Sequence, residues 1–240
     1  MIDLNKYKNK VFAHRGIHNN KDIPENSLKA FKLAMNKNIP IELDIHLTKD
    51  NQLVVFHDDN LIRMTNQDKN IEDITMEEIK TYNLLNTKEK IPTLEEVLSL
   101  IKGKVLIDIE VKGKKRINTL VNQLLKKLEK YNGEIIIKSF NPKIVKELKT
   151  KTRKYPIGLL ITYNSTDKIY NLFSKTNIFL HYTSPDFIAI SKKLIHNKKL
   201  QKYITKLPVL IWTIKDNNEI ININNKNFIY IANNLPCKKD

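Results

Sequence analysis

Short runs of β-branched and apolar residues alternate along the chain with longer segments whose apolar positions recur every three or four residues. These are the periods of strands and of amphipathic helices. Strands are predicted at Val11–His14, Ile41–Leu47, Val105–Val111, Glu134–Ser139, Ile157–Ile161, Phe187–Ser191, Val209–Thr213 and Phe228–Ile231. Helices are predicted at Ser27–Lys37, Arg116–Tyr131, Pro142–Thr150, Thr166–Ser174, Lys192–Ile204 and Asn217–Asn224. Parallel strands need a crossover of a dozen or more residues, and these spacings supply it. Eight strands with intervening helices predict an α/β chain closed into a (β/α)8 TIM barrel. An open dinucleotide-binding sheet is disfavoured, because no glycine-rich loop follows the first strand.

One interval breaks the rhythm. Between Thr48 and Gly103 a hairpin is predicted, with Ile41–Leu47 turning at Lys49-Asp50-Asn51-Gln52 into Leu53–His57. Short helices follow at Thr75–Tyr82 and Thr93–Ile101, the second started by Pro92 and Thr93. Residues 48–103 therefore read as a small subdomain inserted after the second strand of a single domain spanning 1–240. No repeat of solenoid length interrupts it.

Composition narrows the class. With 240 residues and 41% hydrophobic content the chain can bury a real core, which excludes general disorder. The lone Cys237 excludes an internal disulfide framework and a multi-cysteine zinc site. No apolar run reaches the roughly 18–20 residues of a membrane span. The first ten residues hold no apolar signal core, so a cytoplasmic location is expected. The net charge of +16 invites a polyanionic partner. Its lysines are dispersed, however, with no arginine-rich arm and no aromatic-interleaved basic motif. No nucleic-acid partner is expected, and at most a peripheral contact with an anionic membrane. Oligomeric state is not legible.

The chemistry-bearing residues fall at strand ends. His14 and Arg15 close the first strand, offering a proton-transfer group and a fixed cation for an anionic oxygen. On the second strand Glu42 and Asp44 stand two residues apart, on one face and roughly 7 Å apart along the strand. Two such acids facing a packed interior repel and lose solvation, and a hard divalent cation is an economical counter-charge. The third barrel strand puts Asp108, Glu110 and Lys112 on one face, so that Glu110 could complete a three-carboxylate site and Lys112 could reach a phosphate. An ordinary Glu110–Lys112 ion pair is the competing expectation. His57, at the end of the hairpin, could come opposite His14 across a ligand, one imidazole acting as base and the other as acid at phosphorus.

Together these residues resemble the glycerophosphodiester phosphodiesterases, a family of metal-dependent (β/α)8 barrels. The resemblance runs through nearly the whole chain. It is carried by His14-Arg15-Gly16, Pro24-Glu25-Asn26-Ser27, Glu42-Leu43-Asp44, Val54-Val55-Phe56-His57-Asp58, Ile91-Pro92-Thr93-Leu94, Glu110-Val111-Lys112, Ser139-Phe140 and Trp212-Thr213. It implies hydrolysis of small-molecule glycerophosphodiesters to an alcohol and glycerol 3-phosphate. It also implies one divalent cation (Mg²⁺, Ca²⁺ or Mn²⁺) on Glu42, Asp44 and Glu110. His14 and His57 would exchange protons, Arg15 and Lys112 would bind phosphate, and Glu25 would support Arg15 or the metal. Trp212 would line the glycerol or headgroup pocket. Read from its position alone, just before a predicted helix, Asn26 is expected to be no more than that helix's N-cap. His46 is expected to be structural.

The chain departs from the family pattern at Lys215, where Asn is common, and at Ala232-Asn233, where Thr-Asp is common. Both departures bear on headgroup preference more than on the chemistry. Two alternatives stand beside this expectation: a phospholipase D-like activity on lysophospholipids, and a non-catalytic basic binding barrel.

Overall fold

The computed structural model describes residues 2–162, 178–223, 225 and 227–233. The chain forms two compact units, Ala13–Ile135 and the paired segments Met1–Phe12 and Ile136–Asp240.

In the first unit the end of β1 (Val11–His14) pairs in parallel with β2 (Ile41–Leu47), His14 standing opposite Glu42. On its other edge β2 pairs in parallel with β4 (Ile107–Val111), which sets Glu42 opposite Asp108 and Asp44 opposite Glu110. β2 and β4 are buried at every position, acids included. β3 (Leu53–Val55) folds back antiparallel on β2 through the predicted turn, where Asn51 takes a left-handed φ of 61° and Thr48 N–H donates to Gln52 O at 2.9 Å.

This unit also holds α1 (Leu28–Asn36), the single turn α2 (Ile62–Thr65), a 3-10 turn at Ile71–Asp73, α3 (Met76–Thr81) and α4 (Leu94–Ile101). α4 starts at a capping box, with Thr93 Oγ1 accepting from Glu96 N–H and the Glu96 carboxylate accepting from Thr93 N–H. The segment after β2 builds its own apolar core from Val54, Phe56, Leu61, Met64, Ile71 and Ile79, which gives the chain following His57 a firm seat. α5 (Ile117–Glu129) turns Leu120, Val121, Leu124 and Leu128 inward at helical spacing.

In the second unit β5 (Ile135–Ser139), β6 (Ile157–Ile161), β7 (Phe187–Ser191), β8 (Val209–Ile214) and β9 (Phe228–Ala232) pair in parallel in chain order. α6 (Pro142–Lys151) follows β5, with Asn141 capping it and Pro142 in its first turn. α7 (Ile178–Thr183) precedes β7, and α9 (Asn217–Ile223) follows β8. The helix expected at Thr166–Ser174 and the cysteine Cys237 lie outside the described residues.

The expected helix Lys192–Ile204 is broken instead into a 3-10 turn at Lys192–Leu194 and the short α8 (Gln201–Ile204). Between them the Asn197 side chain accepts from Lys199 N–H at 3.0 Å and Leu200 N–H at 3.2 Å, taking donors that a continuous helix would use. Among the described residues no helix is long and apolar enough to cross a membrane.

Candidate active site

β1 delivers its last residues into an abrupt turn. Arg15 and Gly16 both take positive φ, 55° and 78°, and Gly16 N–H donates back to Ala13 O at 3.1 Å. A Cβ on Gly16 would lie 2.8 Å from Ala30 Cβ and 2.9 Å from the Ala30 carbonyl carbon, so the turn is closed against α1 and admits only glycine. Gly16→Ala is expected to destabilise the protein by about 1–3 kcal/mol. Thermal unfolding would read this as a lowered midpoint, and an unchanged midpoint would refute the close packing.

The turn aims three groups at the acids of β2. His14 Nε2 stands 3.9 Å from Glu42 Oε2, and Arg15 N–H donates to the same oxygen at 3.2 Å. The Arg15 side chain sits between two carboxylates, with Nη1 at 2.7 Å from Glu25 Oε1 and Nε at 3.4 Å from Asp44 Oδ2. Glu25 is thus a partner of Arg15, as the resemblance implies. Burial opposes its charge, yet the hydrogen bond from Arg63 and the nearby Arg15 hold its pKa down at about 2.

Asn26 is not the helix cap. Its φ of 56° turns the side chain away, so that Nδ2 donates to Asp44 Oδ2 at 3.0 Å, while Ser27 Oγ accepts from Ala30 N–H and caps α1. An Asn tolerates this left-handed backbone better than most residues.

Glu42, Asp44 and Glu110 converge, each offering one oxygen such that the three oxygens lie within 4.8 Å of one another. All three side chains are buried, and the β2–β4 register is what joins them. Lys112 closes the group, its Nζ 2.8 Å from Glu110 Oε1 and 3.2 Å from Asp44 Oδ1. The ion pair expected as an alternative therefore exists, and the lysine reaches Asp44 as well. Asp44 is held well below the usual carboxylate range: burial opposes this, but the charges of Lys112 and Arg15 and the Asn26 hydrogen bond outweigh it. Lys112 is correspondingly raised against its own burial by Asp44 and Glu110. An all-oxygen, buried, anionic donor set of this kind fits a hard divalent cation and does not fit a soft thiophilic one.

His57 is carried to this group by the hairpin. Phe56 N–H donates to Asp44 O at 3.0 Å, which registers the end of β3 beside the acids. His46, buried and neutral because burial lowers its pKa to about 4, donates from Nε2–H to the His57 carbonyl at 3.2 Å. Its structural role is to hold the backbone of a site residue. The His57 ring is 32% exposed and so open to a ligand. Its Nδ1 meets Asp58 Oδ1 at 2.5 Å, and with Asp58 ionised Nδ1 carries the proton and Nε2 is the free end.

Two roles in the site escape sequence reasoning. Asp58, which the sequence marks only as the last residue of the Val54-Val55-Phe56-His57-Asp58 run, orients the imidazole. Arg63, on α2, donates from Nε to Asp58 Oδ2 at 2.6 Å and from Nη2 to Glu25 Oε1 at 2.7 Å. Nothing in the sequence marks it. Trp212 belongs to the second unit, where it stands on β8 edge-to-face with Phe140 at 5.4 Å between centroids, its buried Nε1–H without a hydrogen-bond partner among the described residues.

Solved structures share this fold. The chain aligns over 95% of its length, with a TM-score of 0.79 and 21% identity, to 94% of an Oleispira antarctica phosphodiesterase solved with the product sn-glycerol-3-phosphate. It aligns with a TM-score of 0.71 and 25% identity to a glycerophosphodiester phosphodiesterase from Thermotoga maritima, covering 93% of each chain. The fold is the (β/α)8 TIM barrel that the alternation of strands and helices predicts.

In sequence, 164 residues are 41% identical to a glycerophosphodiester phosphodiesterase of Caldanaerobacter subterraneus, covering 64% of this chain and 67% of that one. The model of the Glycerophosphoryl diester phosphodiesterase family matches residues 14–229, and the chain belongs to that family. It is accordingly an enzyme, a hydrolase of phosphoric diesters. The non-catalytic basic barrel is thereby disfavoured.

Proposed function

We propose that the chain hydrolyses glycerophosphodiesters to an alcohol and glycerol 3-phosphate in a reaction that needs one divalent cation, with His14 and His57 exchanging the protons. The observation that carries this reading is the convergence of Glu42, Asp44 and Glu110, three oxygens within 4.8 Å, beside two imidazoles and two cationic side chains. The small-molecule product bound by the Oleispira relative supports a glycerophosphate-type ligand.

In this reading Glu42, Asp44 and Glu110 hold the cation. When bound, that ion supplies electrostatic stabilisation of the charge that grows on the phosphoryl oxygens. Arg15, fixed between Glu25 and Asp44, presents its guanidinium to the same oxygens, and the Lys112 ammonium adds a second positive charge. His57, anchored by Asp58 through Nδ1, presents Nε2 for a proton, and His14 stands ready beside Glu42. One imidazole takes the nucleophile's proton and the other gives one to the leaving alkoxide.

The test is release of glycerol 3-phosphate from glycerophosphocholine and glycerophosphoethanolamine after EDTA treatment, with Mg²⁺, Ca²⁺ or Mn²⁺ then restored singly. Turnover is expected to vanish with chelation and to return with at least one ion. Full activity in EDTA would remove the metal from the reading, and hydrolysis confined to monoacylated substrates would favour the lysophospholipid alternative.

A further inference from the structure

His57 and Arg15 arrive from different parts of the first unit, one at the end of β3 and one in the turn after β1. Each is steadied by a carboxylate, His57 by Asp58 at 2.5 Å and Arg15 by Glu25 at 2.7 Å. Those two carboxylates share a single partner. The Arg63 guanidinium forks onto Asp58 with Nε–Oδ2 at 2.6 Å and Nη2–Oδ1 at 3.1 Å, and its Nη2 also donates to Glu25 Oε1 at 2.7 Å. Glu25 Oε1 accepts from Arg15 as well, so one oxygen joins the two arginines. Its other oxygen is taken by Asn20 Nδ2 at 2.8 Å. Arg63 sits on α2, a four-residue turn of the segment inserted after β2, and its side chain is 42% exposed.

From this chain of contacts we propose that Arg63 is a positioning residue that sets the geometry of the proton-transferring His57 and of the phosphate-binding Arg15 together. The proposal rests on the reading of those two residues given above. Planarity makes the role specific to arginine. A guanidinium can address two carboxylates in fixed directions, whereas an ammonium is a point charge that satisfies one of them and leaves the other loose. Without the fork, Asp58 keeps only its bond to His57 and can swing with it, while Glu25 can follow Arg15 away from Asp44. Exposure of the guanidinium edge also leaves room for a small cation from solution to take its place.

The test compares Arg63→Ala, Arg63→Lys, His57→Ala and Arg15→Ala in steady-state hydrolysis of glycerophosphocholine. Calorimetric binding of glycerol 3-phosphate and thermal midpoints are measured on the same proteins. Arg63→Ala is expected to lower kcat by about 10–100-fold, as loss of a partner that orients a site ligand does elsewhere. It is also expected to weaken glycerol 3-phosphate binding, which depends on Arg15 and which His57→Ala should leave nearly unchanged. Millimolar guanidinium should restore much of the activity of Arg63→Ala and none of that of His57→Ala, and Arg63→Lys should recover only one of the two defects.

Wild-type kinetics and binding in Arg63→Ala, with His57→Ala and Arg15→Ala impaired, would overturn the proposal and leave the functional reading standing. A loss that guanidinium does not rescue and that tracks a collapsed thermal midpoint would overturn it too, by making Arg63 a fold residue. Full activity in His57→Ala would instead remove the reading on which the proposal rests.

Discussion

Replacing Asp44 by Asn is expected to reduce hydrolysis of glycerophosphodiesters by about three orders of magnitude or more, the scale set by losing a preorganised electrostatic centre. Asp44 touches Lys112, Arg15 and Asn26 while sharing a donor set with Glu42 and Glu110. The substitution preserves shape and keeps an oxygen able to accept from Asn26. It also leaves no cation stranded: Glu25, Asp44 and Glu110 face Arg15 and Lys112, so neutralising Asp44 still leaves Glu25 for the arginine and Glu110 for the lysine. That matters because breaking a buried pair by removing its only partner costs about 3–5 kcal/mol. The expected result is therefore a folded protein with a thermal midpoint close to that of the parent, little turnover and weakened divalent-cation binding by calorimetry. A collapse of the fold would show that Asp44 serves the barrel and not the ion. Unimpaired turnover would remove the carboxylate centre altogether.

The acids were legible because period-two alternation leaves few choices. Glu42 and Asp44 share a face of β2 whatever surrounds them, and Glu110 and Lys112 share one of β4. What alternation cannot supply is the register between strands far apart in sequence, and the pairing of Asp44 with Glu110 is what turns two local patterns into one site. Lys112 shows the same limit from the other side, since its local partner Glu110 was readable and its contact with Asp44 was not.

Arg63 was invisible for a stronger reason. It lies on a single helical turn with no side-chain cap, too short to show any apolar period, and it meets Glu25 across 38 residues. Asn26 was misread because a cap residue is inferred from type and position, while its left-handed backbone, which passes the cap to Ser27 and sends the amide to Asp44, is fixed by the turn after β1. The break after Lys192 came from the Asn197 side chain, a local competitor that apolar periodicity does not register.

His57→Ala should lower kcat by about 10²–10⁴-fold on glycerophosphocholine, with KM little changed, because the ring transfers a proton in the transition state and is not proposed to grip the ground state. His14→Ala should do the same in kind. The two differ in surroundings, and that difference can be used. His57 is backed by a carboxylate on Nδ1, whereas His14 lies 3.9 Å from an oxygen of Glu42 in the carboxylate group itself. A substrate whose leaving group is an acidic phenol needs no proton on departure. The variant lacking the general acid should therefore regain most of its rate on such an ester, and the variant lacking the base should not. Recovery in one and only one of the two assigns both roles at once. Recovery in neither, or activity undiminished in either on the natural substrate, would mean that the two imidazoles do not divide the proton transfer between them.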